Sequence, residues 1–216
     1  MSDGTLTHAA LMDETYRYQR LIYDLTRRFF LLGRDHLITR LNPGPSAHIL
    51  EIACGTGRNL ALIARQYPDC RLYGLDISDQ MLRTARNRLQ GRAELAQADA
   101  CTFEAAALFG TAQFDRIILS YSVSMIPDWQ AALSTATRHL APGGQLHVVD
   151  FGDQSGLPRW FGSALRRWLA KFHVTPRTDL VAVLAGIATN QHGRMTHQTR
   201  LRGYAQHAVL TKPEPA

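Results

Sequence analysis

Leu50-Glu-Ile-Ala-Cys-Gly-Thr-Gly-Arg-Asn59 is the stretch from which the fold can be read. The apolar run from His48 to Ala53 reads as a strand. Gly55 and Gly57 then make a tight turn, where a missing Cβ lets backbone approach a ligand and permits positive φ. A helix is expected from about Arg58 to Gln66, and its first N–H groups have no intrahelical partners. Two glycines in a strand-to-helix turn suit a plain tight turn equally well, so the flanking segments must decide.

Those segments alternate. Arg71–Leu75 reads as a second strand, and Ser78–Leu89 as a helix opened by a Ser/Asp cap. Ala93–Ala98 is a weaker strand. Phe114–Tyr121 is a strong one, with Ile117, Ile118 and Leu119 in series. Asp128–Leu140 is expected to be helical, Ala141-Pro-Gly-Gly144 a turn, and Gln145–Phe151 a strand. Helices follow at 158–172 and 178–190, then two strand-like segments, Arg194–Leu201 and Tyr204–Thr211. Upstream, residues 8–32 read as one long helix, with Leu11, Tyr18, Ile22, Leu25, Phe29 and Leu32 on one face. Strands alternating with helices of about ten residues argue for a parallel sheet covered on both faces. The expected organisation is one domain of 216 residues. It has an N-terminal helical extension (1–45), a core (46–157), and a tail of two helices and a β-hairpin (158–216).

Composition narrows the function classes. Hydrophobic residues make up 45%, which excludes wholesale disorder. The net charge of +6 invites nucleic acid, an anionic membrane or an acidic substrate. Its distribution is informative: residues 46–157 carry nine Arg against eleven acids, whereas residues 158–216 carry nine Lys and Arg against only Asp179 and Glu214. Cys54, Cys70 and Cys101 form no Cys-x-x-Cys pair, and the nine histidines have no metal-ligand spacing. No disulfide framework and no metal site is therefore expected, and a reducing cytosol fits. No signal peptide is read at the N-terminus, and no apolar run approaches the ~18 residues of a membrane span. Any membrane contact should be peripheral.

Four points fall at the carboxyl ends of the expected parallel strands, where open α/β sheets bind ligands. They are the Gly55/Gly57 turn, Asp76 in Tyr-Gly-Leu-Asp-Ile-Ser, Asp99-Ala100, and Ser120-Tyr121. An acid about twenty residues after the glycine turn suits the two hydroxyls of a ribose. This combination resembles the class I S-adenosylmethionine-dependent methyltransferases, whose first turn reads acidic-x-Gly-x-Gly-x-Gly. Glu51, Gly55 and Gly57 match, while Ala53 replaces the first glycine and should crowd the turn slightly. Leu140-Ala-Pro-Gly-Gly144 matches the turn before the fifth strand. The resemblance implies a Rossmann-like α/β fold, a mixed seven-stranded sheet with helices on both faces, and an N-terminal helical lid. It also implies S-adenosylmethionine as cofactor. The cofactor-binding residues would be Tyr23, Glu51, Ala53, Cys54, Gly55, Gly57, Asn59, Asp76, Ile77, Met81, Asp99, Ala100 and Ser120.

Further segments extend the likeness: residues 10–24, Leu32-Gly-Arg-Asp35, Ser120-Tyr-Ser-Val-Ser-Met-Ile-Pro-Asp-Trp129, Asp150-Phe-Gly-Asp-Gln154 and Trp168–Arg177. Together they resemble the bacterial diacylglyceryl-homoserine N-methyltransferases, which convert a lipid amine to a trimethylated betaine headgroup. That resemblance implies an amine-bearing lipid acceptor, and a site on the inner face of the membrane for a cytoplasmic, peripherally bound enzyme. Another acceptor, such as phosphatidylethanolamine or a quinone precursor, remains an alternative. Candidates to handle the amine proton are Tyr121, Asp150, Asp153 and His173. Tyr16 and Phe151 supply aromatic faces, which attract quaternary ammonium. Arg34 and Arg177 are candidates for a bidentate grip on the homoserine carboxylate. The helix of residues 8–32 either folds over the cofactor, bringing Tyr16 and Tyr23 in, or simply packs. In the 158–172 helix, Phe161, Leu165, Trp168, Leu169 and Phe172 form one face, flanked by Arg159, Arg166, Arg167 and Lys171. Such a helix suits an anionic membrane interface. It equally suits a surface helix packed on the core, and both hold if Trp160 and the arginines touch lipid while the stripe packs inward. Nucleic acid is not expected: Ser120-Tyr-Ser-Val-Ser replaces the Asn-Pro-Pro-aromatic motif of base N-methyltransferases, and no RNA-binding module is visible.

Overall fold

The computed structural model describes residues 34–170 and 174–214, apart from the side chains of Arg159 and Phe161. The long helix expected over 8–32 lies outside the described residues. The first described element is a short helix, α1 (Arg34–Arg40). The core then alternates as β1 (His48–Ile52), α2 (Arg58–Gln66), β2 (Arg71–Asp76), α3 (Asp79–Leu89) and β3 (Glu94–Gln97). It continues with α4 (Ala105–Phe109), β4 (Phe114–Ser120), α5 (Trp129–Arg138) and β5 (Leu140–Phe151). The tail is α6 (Arg159–Ala170), α7 (Leu180–Asn190), β6 (Arg194–Arg200) and β7 (Ala205–Thr211).

The seven strands form one sheet in the order β3-β2-β1-β4-β5-β7-β6. The first five pair in parallel, whereas β7 runs antiparallel to both β5 and β6. This is the mixed, Rossmann-like sheet of the class I methyltransferases. The order reverses between β1 and β4, and the carboxyl ends of those strands flank the switch point where such sheets bind ligands.

Alternation along the strands builds two cores. Leu50, Ile52, Ile117, Leu119, Leu146 and Val148 face one side, against Ala132, Leu133 and Ala136 of α5 and Leu180 and Leu184 of α7. Ile49, Leu72, Ile118 and Val149 face the other, against Leu60 and Ile63 of α2, Leu82 and Ala85 of α3, and Leu165 and Leu169 of α6. Both faces are therefore covered by helices, which is why β1 and β4 carry consecutive apolar residues, Ile49-Leu50 and Ile117–Leu119, instead of strict alternation.

Two local expectations are corrected. Leu140 belongs to β5, not to the preceding helix: the amide of His139 caps α5 and Leu140 pairs with Phe114. The 141–144 turn is absorbed into β5 as an irregularity, since the register jumps from Phe114↔Leu140 to Arg116↔Gln145. Gly143 takes φ +70° there, and a Cβ on Gly144 would lie 2.8 Å from the Ala141 carbonyl oxygen. The sequence reading missed α1 and α4, both too short for a periodic pattern to register.

Candidate active site

The ends of β1, β2 and β4 and the loops after β3 and β4 enclose a cavity of about 390 Å³. Ala53, Gly55, Asp76, Ile77, Met81, Asp99, Ala100 and Tyr121 line it, as expected from the sequence. So do Leu75, Ala98, Cys101, Ser122, Met125, Ile126, Pro127 and Asp128. Among the described residues its lining carries three carboxylates, Asp76, Asp99 and Asp128, and no Lys, Arg or His, a field that favours a cation.

Asp76 organises the floor. Its Oδ2 accepts from the Gly55 amide at 2.8 Å and its Oδ1 from the Ser78 amide at 2.9 Å. A carboxylate offers about four lone-pair sites, so room remains for ligand hydroxyls. The same residue thus ties the glycine turn to the start of α3, where the Ser78 hydroxyl caps the helix by accepting from the Met81 amide. Arg88, on α3, clamps the turn from outside, donating to the carbonyl and hydroxyl oxygens of Thr56 at 2.7 Å each. Gly57 opens α2 at φ +71° without a side-chain cap, and a Cβ there would lie 2.9 Å from Leu89 Cδ1. Ala53, where the resembling family has glycine, sits at φ +55°. Its cost is left-handed backbone strain rather than the crowding expected.

Other expected cofactor residues support the cavity without lining it. Glu51 is buried and accepts from Asn59 Nδ2 at 2.7 Å, which joins β1 to α2 beneath the turn. Cys54 is buried, its thiol pushed up by burial and then by the charges of Asp76 and Glu51. Gly57 and Ser120 also lie outside the lining. Tyr16, Tyr23 and His173 lie outside the described residues.

The wall after β4 depends on Asp150. It is fully buried and its Oδ2 accepts from the Ser124 amide at 2.9 Å, its Oδ1 from the Phe151 amide at 2.7 Å. Burial pushes its pKa up to about 6, against the lowering effect of those hydrogen bonds and of Arg177. Asp150 is not among the cavity-lining residues, so it anchors the loop that is. Arg177 does the same from α7's approach: it donates to the carbonyls of Val123 and Ile126, over the Trp129 ring at 5.7 Å. Arg34 is buried at the start of α1, outside the cavity lining and near enough to act on the Tyr121 phenol. Phe151 is also corrected: it packs edge-on against Tyr121, in the core behind the cavity. Asp153 is exposed and accepts from the Ser155 amide.

Tyr121, Ser122 and Asp128 are the polar groups of this wall. Tyr121 is buried and adopts φ +54°. Burial, then the Asp150 charge, hold its phenol well above the ordinary range, so it keeps its proton. Ser122 is 4% exposed and its hydroxyl has no hydrogen-bond partner. An orphaned hydroxyl on a cavity wall is a group that a ligand would satisfy. Sequence reasoning missed Ser122 through Asp128 as a wall, because no periodic signal marks a loop that folds back over a sheet.

Residues 49–144 match the model of a methyltransferase-domain family. An O-methyltransferase of Pyrenophora dematioidea is 31% identical over 139 residues, covering 64% of this chain and 51% of that protein. A ubiquinone/menaquinone biosynthesis C-methyltransferase of Syntrophotalea carbinolica is 33% identical over 137 residues, 60% of this chain and 56% of its own. The chain thus spans about half the length of these curated relatives. The plantazolicin methyltransferase BpumL, solved with S-adenosylhomocysteine, superposes with a TM-score of 0.71 at 18% identity, over 95% of this chain and 96% of that one. Phosphoethanolamine N-methyltransferase 2 of Haemonchus contortus superposes with a TM-score of 0.64 at 16% identity, over 85% and 53%. Fold and sequence converge: the described chain has the class I methyltransferase fold, and residues 49–144 of it match the methyltransferase-domain family.

Proposed function

We propose that this protein is an S-adenosylmethionine-dependent methyltransferase that methylates the amine of a lipid headgroup, with diacylglyceryl-homoserine as acceptor. The observation that carries the cofactor is the cavity itself: a pocket at the switch point lined by three carboxylates, with Asp76 tied to the glycine turn. Asp76 would hold the ribose hydroxyls, Gly55 would allow the backbone close, and Ile77, Met81 and Ala100 would sandwich the flat adenine. When bound, the cofactor supplies an electrophilic methyl group on a positively charged sulfur.

The residues' tasks follow. An α-amino group is largely protonated at pH 7, and only the neutral amine has a lone pair for attack. The apolar wall of Met125, Ile126 and Pro127 favours that neutral form by desolvation. Tyr121 keeps its phenolic proton, so it orients the amine rather than deprotonating it, and Ser122 accepts the second hydrogen bond. Each transfer forms one N–C bond and breaks one S–C bond; after the first and second an N–H proton must be lost before the next round, whereas the third gives a trimethylammonium with no N–H to lose. Asp150 is not among the cavity-lining residues, and the proposed acceptor of that proton is solvent. Most of the rate gain comes from alignment of the reactants.

A second reading has support of its own, since relatives of this chain are named for O- and C-methylation, one of them in quinone synthesis. A small or quinone-type acceptor would use the same apolar wall. Labelled cofactor incubated with lipid extract, followed by headgroup analysis, separates the two. Label in betaine lipid is expected; label in phosphatidylcholine or in a quinone excludes the diacylglyceryl-homoserine acceptor. For a lipid acceptor, the enzyme must meet a bilayer. No described helix is long and apolar enough to cross one, so contact would be peripheral.

A further inference from the structure

Among the described residues, two large hydrophobic side chains are exposed: Trp160, at 74%, and Leu201, at 53%. They are 41 positions apart in sequence, yet the fold brings their segments together. Trp160 lies in the first turn of α6, while Leu201 lies in the tip joining β6 to β7. The loop leading into α6 is laced to that tip. The amide of Gln154 donates to the Gly203 carbonyl at 2.8 Å and that of Gly156 to the Arg202 carbonyl at 3.1 Å.

The tip is held in an unfavourable backbone. Leu201 and Arg202 take φ +52° and +57°, where hairpin tips ordinarily place Asn or Gly. A leucine held outward in a left-handed conformation is strain without burial in return, which directs attention to function. The surroundings are cationic. Arg167 shares the outward face of α6 with Trp160, two turns along. Arg166 is exposed beside it and donates to Gln154 Oε1 at 3.3 Å, and Arg202 is exposed on the tip itself. Asp153 is the acid nearest the tip, its Oδ1 2.6 Å from where a Cβ on Gly203 would lie.

We infer that Trp160 and Leu201 form a two-pronged docking surface for an anionic lipid bilayer, with Arg166, Arg167 and Arg202 as its cationic rim. Charge complementarity selects an anionic surface, and two exposed apolar prongs at its centre favour a bilayer over nucleic acid. The sequence pattern left open whether the apolar stripe of α6 meets lipid or the core; the structure buries Leu165 and Leu169 in the core and leaves Trp160 exposed. This inference deepens the lipid-acceptor reading by naming how the enzyme reaches its substrate.

The test is sedimentation of the full chain with vesicles of phosphatidylglycerol and phosphatidylcholine in equal parts, against vesicles of phosphatidylcholine alone. Binding to the anionic vesicles, reversed by high salt, is expected. Trp160→Ser should weaken it about tenfold, the loss of one buried side chain. Arg167→Gln should weaken it about fivefold, the loss of one cation near the leaflet. Leu201→Gly relieves the left-handed strain, so it keeps the fold while removing the prong. Its weakened binding, with S-adenosylhomocysteine affinity unchanged, supports the inference. Equal binding by wild type and both prong variants overturns it, as does binding that RNA competes away without effect from the prongs. Transfer to an acceptor dispersed in detergent micelles reads the proposed function separately. Transfer without vesicle binding removes the docking surface alone; vesicle binding without transfer to any lipid amine removes the acceptor alone.

Discussion

Ala53 and Tyr121 share an uncommon trait: both are non-glycine residues with φ near +55°, and both line the cavity. A left-handed conformation costs a Cβ-bearing residue roughly 1–2 kcal/mol, and part of that returns when glycine pays its larger chain entropy. Ala53→Gly is therefore expected to raise stability by up to about 1 kcal/mol and to keep S-adenosylhomocysteine binding; a lower melting temperature would refute the strain assignment. Asp76 carries two loads, a proposed ribose grip and two backbone hydrogen bonds. Asp76→Ala should weaken S-adenosylhomocysteine binding at least about tenfold, or ~1.4 kcal/mol, and also lower the melting temperature. Asp76→Asn keeps one acceptor oxygen and should retain more of the fold than of the affinity. Calorimetric titration of the two variants checks this, and matching wild-type affinities would remove the assignment. The place of Asp76 at the end of the second strand, on which the first load is proposed, was legible in the sequence. The second was not, because a hydrogen bond from Gly55 to a residue 21 positions away exists only once β1 and β2 are paired.

At the scale of elements, α6 shows why an amphipathic pattern does not name its partner. The periodicity that marks Leu165 and Leu169 is the same whether the stripe meets lipid or a sheet. Here it meets β5 and its neighbours, with both leucines nearly fully buried among Ile118, Val149 and Phe151. Leu169→Ala should accordingly cost about 2–5 kcal/mol, whereas Trp160→Ser, at the same helix, should cost within about 0.5. Urea unfolding of the two variants measures this; comparable losses would mean that Trp160 is packed. The strands from β1 to β4 and the helices α2, α3 and α7 were readable within a residue or two, from apolar residues along the strands and caps such as Ser78, whereas β5 starts five residues before the strand read from the sequence. The cavity wall from Ser122 to Asp128 was not, for it is shaped by Asp150 and Arg177, which come from β5 and the α7 approach.

Across the molecule, pH acts through three buried titratable groups. His147 and His207 stack at 5.7 Å between ring centroids, and His36 of α1 meets His207 at 6.1 Å. Burial holds His147 down at about 3; its neighbour His207 and Arg116 lower it further. His207 is held at about 4 by burial and then by His36, Arg40, Arg200 and His197. Below pH 6.5 the unfolded chain takes up protons on these rings that the folded chain refuses, so stability falls with pH. Asp150 acts oppositely: between about pH 6 and 4 the folded chain holds a proton that the unfolded carboxylate has released. Two rings against one carboxyl leave a net loss of about 1 kcal/mol per pH unit through that window. Urea titrations at pH 7, 6 and 5 should show falling stability, with a shallower slope for His147→Leu and a steeper one for Asp150→Asn. Stability that is flat or rises toward pH 5 would show that the rings are not buried neutral.

The sequence by itself determined the alternation, the place of the glycine turn and the acids at the strand ends. Those properties follow from local periodicity, caps and the carboxyl-end rule, which a chain carries before it folds. The tertiary structure decided which side each amphipathic face meets, that Asp150 and Arg177 hold the loop after β4, and that the tip carrying Leu201 is laced to the loop leading into α6. These depend on pairings between residues tens of positions apart, such as Phe151 with Ala205 and Gly156 with Arg202. Burial and hydrogen bonding select such pairings among all segments at once, so no single stretch of sequence encodes them.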